Sequence, residues 1–406
     1  IFLMYLIYFF CSAAGDHAQL QPSRPFSTPF AMCRWVLYKG SQVKIADVIT
    51  RPEHSLVDQA SHAVCYTPGV ETSRLYNREQ RKARDHTLNA DGFGLGWYSL
   101  DGVVSERRAP TPSLVKSCAP PWSSATLFEV AESTETGCIF AHIRAASPGL
   151  RVSEANCHPF RFGRFMFMHN GSIGGFSQIK ESLRACLRTD VLNLIEGTTD
   201  SEHAFALFVN HFPDQGVHGP FNRYVSPEWR AAAPFPAETL IAAMRATIAT
   251  IRTLQKTCNV SYEESLSSLN FAVTDGTTIL ATRCRTHPEQ DPPSLYYSFG
   301  SSSSDLLGKS SSSSPRERSG SDPSPAPREH HDEVLRRDLH LHRSPRPRTF
   351  PVQDTLVIAS EPPIFLNEFT SVSPSRSRRG GGGGGKGAPR GWQHASKHGY
   401  TLVPKE

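Results

Sequence analysis

Four short clusters in the 406-residue chain carry side chains that could share one reaction. Cys33 follows Met32. Arg144 lies in "AHIRAAS", Asn170 and Gly171 lie in "HNGSIGGF" after the apolar run "RFMFM", and Asp200 lies in "GTTDSE". A thiolate is a strong nucleophile, but it needs a nearby base or a lowered pKa. If Met32 is the initiator and is removed, the α-amine of Cys33 can be that base, since an α-amine titrates near about pH 8. The amide of Asn170 and the N–H of Gly171 can donate to an oxyanion, and losing one such donor typically costs about 100- to 1000-fold in rate. Arg144 can grip a carboxylate with two N–H groups, and Asp200 can pair with an ammonium. A group carrying both charges beside a scissile carbonyl is a glutamyl moiety attached through its side-chain carbonyl.

Singly, each cluster has an ordinary structural explanation. A lone Cys is usually a small buried hydrophobe, and Arg at a strand end usually forms a surface ion pair. Asn-Gly is a common turn, and Asp before a helix is a common cap. It is their combination that describes a task. "HPF" at His158 to Phe160 is read as support for the same site, with a packed strand-end histidine as the alternative. The glycines at 92, 94 and 96 lack the strand–turn–helix setting of a nucleotide loop and read as close backbone approach beside the site. His142, His158, His169 and His203 lack metal-ligand spacing, so neither a metal nor another cofactor is expected. No GxSxG elbow or Walker loop is present.

These residues need a scaffold of strand ends and helix starts. "CRWVLYKG" is strand-like up to Gly40, as are "CIFAHIRAAS" (138 to 147), "RFGRFMFMHNG" (161 to 171) and "DTLVIASEP" (354 to 362). "LNFAVTDGTTILATRC" reads as a hairpin turning at Asp275-Gly276. Ile179, Leu183, Leu187, Val191 and Leu194 or Ile195 repeat at helical spacing. A second helix starts with Asp200 at its N-cap and buries Ala204, Leu207 and Phe208, and "PAETLIAAMRATIATIRTLQKT" is a third with Pro near its start. Strands, then helices, then strands predict an α+β protein rather than a regular βαβ alternation.

The composition narrows the function classes. A net charge of +5 is small for this length, and its basic excess lies largely in late Arg-rich stretches, so nucleic acid is not an expected partner. Nine cysteines without a CxxC pair favour reduced, individually buried thiols. The opening "IFLMYLIYFF" and "CSAAG" resemble a signal peptide, yet no basic stretch precedes them, and the run is too short to span a bilayer. A glycan on the sequon at Asn170 would block the oxyanion site, so a cytosolic protein starting at Met32 is expected, without a membrane partner. Residues 1–32 are then a lead-in that is absent or removed. Residues 301–350 have the composition of a disordered Ser/Arg-rich insertion, and residues 371–406 that of a low-complexity tail. The catalytic domain is expected over 33–300 plus 351–370. A secreted protein with interaction tails is a further alternative, which glycans at Asn170 or Asn259 would support.

The ordered segments "MCRWVLYKG", "RPEHSLVDQA", "NADGFGLGWY", "FAHIRAASPG", "NCHPFRFGRFMFMHNGSIGGF", "GTTDSEHAFALF", "LNFAVTDG", "SLYYSFG" and "VIASEP" resemble the class II glutamine amidotransferases. The likeness is strongest to the branch containing the fungal amidotransferase-like subunit of the alternative glutathione-degradation complex. Bacterial γ-glutamyl amidases of the ergothioneine pathway are similar too. The resemblance spans about Cys33 to Pro362 and implies a four-layer αββα sandwich of the N-terminal-nucleophile type. It implies Cys33 as nucleophile, Asn170 with Gly171 as oxyanion hole, Arg144 for the substrate α-carboxylate and Asp200 for its α-ammonium. Where relatives with an "RWAT" segment have Trp after the Arg, this chain has Ala145, so that part of the pocket wall differs. Glutathione is the implied substrate and a metallopeptidase-like subunit the implied partner. The alternatives are a glutaminase delivering ammonia to a separate synthase, and a non-catalytic scaffold subunit if Cys33 is not N-terminal.

Overall fold

The computed structural model describes residues 33–61, 89–99, 111–146, 151–212, 234–286, 292–300, 355–360 and 393–394. The lead-in 1–32, the insertion 301–350 and all of the tail except residues 393–394 lie outside these described residues.

The elements run β1 (Arg34–Lys44), α1 (Ala46–Ile49), α2 (Leu56–Ser61), β2 (Phe93–Tyr98), β3 (Pro112–Ser117), α3 (Ala125–Ser133) and β4 (Glu135–Ile143). They continue with β5 (Phe160–Phe162), β6 (Phe165–Ser172), α4 (Phe176–Ala185), α5 (Thr189–Leu192), α6 (Asp200–Val209), α7 (Ala237–Thr257) and α8 (Tyr262–Ser265). The last are β7 (Ser268–Thr274), β8 (Ile279–Ala281), β9 (Tyr296–Gly300), β10 (Thr355–Ala359) and β11 (Gln393–His394). One sheet has the order β11-β9-β10-β1-β4-β2-β3 and the other β5-β6-β7-β8, and every pairing in both is antiparallel.

Side chains alternate across a strand, so each sheet has two apolar faces to bury. Trp35, Leu37, Phe140 and Ile358 of the larger sheet meet Met166, Met168, Ala272 and Ile279 of the smaller one in a shared core. On the larger sheet's other face, Val36, Tyr38, Ile139 and Val357 pack under Ile49, Leu56 and Leu127 from α1, α2 and α3. The smaller sheet's outer face presents Phe165, Phe167 and Phe271 to Ile179, Phe205 and Met244 from α4, α6 and α7. The result is the expected four-layer αββα sandwich. Phe167 anchors one side, with ring centroids 5.0 Å from Phe205 and 5.1 Å from Phe271.

Local details depart from the sequence reading. The stretch 161 to 171 is a hairpin, because Gly163 at φ +54° turns the chain between β5 and β6. The apolar run from Ile179 to Leu194 is buried but broken into α4 and α5. At the break, Arg188 leaves the helix to donate to the carbonyls of Asn210 and Phe212, and its backbone N–H reaches Asn210 Oδ1 at 2.8 Å. β1 runs past Gly40 to Lys44, with an irregular register between Lys39 and Val43. Within the expected tail, Gln393 and His394 pair with β9, whose free edge offers backbone partners. Cys138, Cys157 and Cys284 are buried thiols as expected, whereas Cys186 is exposed.

Candidate active site

The register of β1 and β4 sets the first two candidates together. Arg34 pairs with Ile143, and continuing that antiparallel register one step sets Cys33 beside Arg144. Cys33 Sγ accepts the Ala145 N–H at 3.4 Å and lies 3.6 Å from the Ala145 carbonyl. Burial pushes the Cys33 thiol up, against the pull of the Ala145 N–H and of the Arg144 and Arg34 cations, while the Asp200 carboxylate adds to the push. At rest the sulfur is a protonated thiol, so the chemistry needs a base.

Arg144, the residue that follows β4, is buried. Its N–H donates to Gly92 O at 2.8 Å and its carbonyl accepts the Asp91 N–H at 3.3 Å. Nη2 donates to Arg151 O at 3.2 Å, whereas Nη1 is buried without a partner among the described residues. One prong of the guanidinium is thus held and the other is available. Asp91 Oδ2 accepts the Ala146 N–H at 2.8 Å, fixing the backbone that flanks Cys33.

Asn170 ends the buried part of β6, and among the described residues its side chain makes one bond, Nδ2 to Ser360 Oγ at 3.3 Å. Gly171 follows at φ +151°, where L side chains are strained, and a Cβ there would run into the Ser268 carbonyl oxygen. Asp200 is the first residue of α6, not its cap. Thr199 is the cap, its side chain accepting the Glu202 N–H at 3.3 Å. That frees the Asp200 carboxylate to accept from Ile173 N at 2.7 Å and Ser201 N at 2.7 Å.

His169 reinforces this corner. Nε2 faces the Ser268 carbonyl at 2.9 Å and must donate to it, so in the neutral ring Nδ1 accepts from Ser201 Oγ at 2.9 Å. Burial lowers the His169 pKa against the opposing pull of Asp200, which keeps the ring neutral. His158 shares no hydrogen bond with the other candidates. It lies 4.2 Å, ring to ring, from His142 and 4.6 Å from Phe160, with both ring nitrogens buried and unpartnered among the described residues. Burial depresses its pKa well below the ordinary value, so it packs as a neutral ring. Gly94 allows this approach, since a Cβ there would meet the His158 carbonyl.

Three contributors went unnoticed in the sequence: Ser360, Asp91 and Ser201. A cavity of about 460 Å³ opens elsewhere, lined by Lys116, Phe160, Glu196 and Glu202 among others, and none of Cys33, Arg144, Asn170 or Asp200 borders it. Among the described residues no group of His, Cys, Asp and Glu could hold a metal ion, and no helix is long and apolar enough to cross a membrane.

Residues 73–227 match the family described as class-II glutamine amidotransferases; this stretch includes Arg144, Asn170, Gly171 and Asp200 and begins after Cys33. The probable glutamine amidotransferase DUG3 of Saccharomyces cerevisiae is 37% identical over 275 residues, covering 67% of this chain and 69% of the yeast protein. The γ-glutamyl-hercynylcysteine sulfoxide hydrolase of Mycolicibacterium smegmatis is 27% identical over 142 residues, 35% of this chain and 52% of that protein. A solved glutamine aminotransferase class-II domain protein from Silicibacter pomeroyi superposes with a TM-score of 0.40 at 23% identity, over 66% of this chain and 83% of that one. The chain belongs to the class II glutamine amidotransferases, a family of enzymes.

Proposed function

We propose that this chain is a γ-glutamyl amide hydrolase whose nucleophile is Cys33, acting as the N-terminal residue of the mature protein. The observation that carries the reading is the seating of Cys33 Sγ against Ala145, next to Arg144, whose Nη1 is unpartnered among the described residues. The free α-amine takes the thiol proton as sulfur attacks the γ-carbonyl. Asn170 Nδ2 and the Gly171 N–H stabilise the oxyanion. The carbon–nitrogen bond then breaks, and the amine leaves with the proton the α-amine had taken. Water, deprotonated by the same amine, attacks the glutamyl-thioester, releasing glutamate and regenerating the thiol. Arg144 Nη1 holds the substrate α-carboxylate and Asp200 its α-ammonium, while His158 supports the site through packing.

Residues 33–300 with 351–370 form the catalytic domain in this reading, in a cytosolic protein that uses no cofactor. The resemblance to the glutathione-degradation branch favours glutathione as substrate and a metallopeptidase-like subunit as partner. Kinetic assay of the chain processed to Cys33, with glutathione and glutamine in parallel, tests the reading. Turnover of glutathione that Cys33→Ala abolishes is expected. Turnover of glutamine alone would replace it with the ammonia-supplying glutaminase. Absence of both, with Cys33 N-terminal, would overturn it. A second reading, a non-catalytic scaffold subunit, draws on the raised pKa of Cys33, since a neutral thiol with no free amine beside it is inert.

A further inference from the structure

We propose that Ser360, one residue past β10, is a positioning residue that aims the Asn170 amide; this rests on the reading of Asn170 as an oxyanion donor. Ser360 is pinned on three sides. Its N–H donates to Trp35 O at 3.0 Å, its Oγ accepts the Trp35 N–H at 3.2 Å, and its carbonyl accepts from Ser294 Oγ at 2.8 Å. The side chain thereby extends the β1–β10 ladder beyond the Val36–Ala359 pair.

Asn170 Nδ2 donates to the same Oγ at 3.3 Å, whereas Asn170 Oδ1 is buried with no partner among the described residues. The terminal torsion of an Asn side chain is soft, with a broad and roughly two-fold profile. One hydrogen bond to an immobile oxygen therefore decides the plane of this amide. With one Nδ2 hydrogen spent on Ser360, planarity at nitrogen fixes the direction of the second. The contact also serves with the amide turned over, Ser360 Oγ–H then donating to Oδ1, and the plane is the same. Trp35 is two residues from Cys33, so a single oxygen atom references both the nucleophile's strand and the amide to one point. Preorganisation of this kind is what makes an oxyanion donor effective, because no reorientation is needed as charge develops.

The test compares Ser360→Ala, Ser360→Thr, Asn170→Ala and the Ser360→Ala/Asn170→Ala double variant in the chain processed to Cys33. Ser360→Ala should lower kcat on the γ-glutamyl substrate by about 10-fold or more, short of the roughly 100- to 1000-fold of a lost donor, with KM little changed. Ser360→Thr, which keeps the hydroxyl, should recover most of the loss. In the Asn170→Ala background the Ser360 change should cost nothing further, since the two act as a unit. Mass-resolved iodoacetamide labelling of Cys33 should be unaffected in Ser360→Ala. A full additional loss in the double variant, or Cys33 labelling that slows in step with turnover, would mean that Ser360 acts on β1 alone and would overturn the proposal. If the wild-type chain hydrolyses no γ-glutamyl amide, the functional reading has failed separately. The side-chain ¹⁵N–¹H resonances of Asn170 then decide, with an upfield shift of the Nδ2 proton that faces Ser360 expected in Ser360→Ala and an unchanged pair contradicting the contact.

Discussion

The Ile173 N–H donates to Asp200 Oδ2 at 2.7 Å, tying the chain that leaves β6 to the first residue of α6. The backbone turn proposed to hold the oxyanion and the carboxylate proposed to hold the ammonium are therefore one mechanical unit. Both ends of a glutamyl substrate would be gauged against the same short stretch of chain.

Asp200→Asn preserves an oxygen for the Ile173 N–H while removing the charge. Losing one partner of a desolvated charge pair costs about 2 kcal/mol or more, roughly 30-fold. The expected result is a KM for the γ-glutamyl substrate raised by about that factor, with a smaller change in kcat. An unchanged KM would remove Asp200 from the ammonium site.

Gly171→Ala puts a Cβ against the Ser268 carbonyl in a backbone region strained for L side chains. Urea unfolding should show a loss of about 1–3 kcal/mol, with turnover reduced in parallel as β6 and β7 shift apart. Wild-type stability in this variant would mean that the turn relaxes freely, contradicting a rigid oxyanion site.

His142 predicts an acid-sensitive fold. Burial lowers its pKa from 6.5 to about 3, while Nε2 donates to His169 O at 3.3 Å across the two sheets. The folded state therefore favours the neutral ring. The stability this contributes is complete above pH 6.5 and is lost as pH falls toward 3. Over that window the loss is on the order of several kcal/mol. Thermal unfolding of His142→Gln against wild type should show a shallower decline on acidification, and identical slopes would refute the assignment.

Glu202 has the opposite sign. Burial raises its pKa from 4.5 to about 7, although its carboxylate accepts from Glu196 N at 2.9 Å and Gly197 N at 2.7 Å. The folded state favours the protonated form, so this contribution is present below pH 4.5 and is lost as pH rises through 7. Glu202→Gln should gain stability relative to wild type as pH rises across that window, by an amount on the order of a few kcal/mol. A difference that stays constant with pH would show that the carboxyl is not proton-bound in the fold.

Much of this was legible in the sequence because period-two apolar runs and polar strand ends are local signals. Trp35 to Tyr38, Phe140 and Met166 to Met168 all fell into strands, and the Asp275-Gly276 turn closed a hairpin as expected. Cys33, Arg144, Asn170 and Asp200 stood out only in combination, because together they offer a nucleophile, an oxyanion donor and two opposite charges for one substrate, while each alone is ordinary at its position. Ser360 did not, since a serine 325 residues beyond Trp35 gains its meaning only when β10 inserts beside β1. The glycine-rich β2 lacked a strand signal, because Gly94 and Gly96 are dictated by His158 and by Met166 with Pro159 across the sandwich. Thr199 displaced Asp200 as cap because Asp200 is engaged by Ile173, a tertiary contact that no local spacing reports.

The claim on which the enzymatic account depends is that Cys33 carries a free α-amine beside its protonated thiol. N-terminal sequencing with intact-mass measurement of the protein isolated from its own cells tests this directly. A mature chain beginning at Cys33 is the predicted result. A chain retaining any residue ahead of Cys33 would leave the thiol without its base and contradict the enzymatic account.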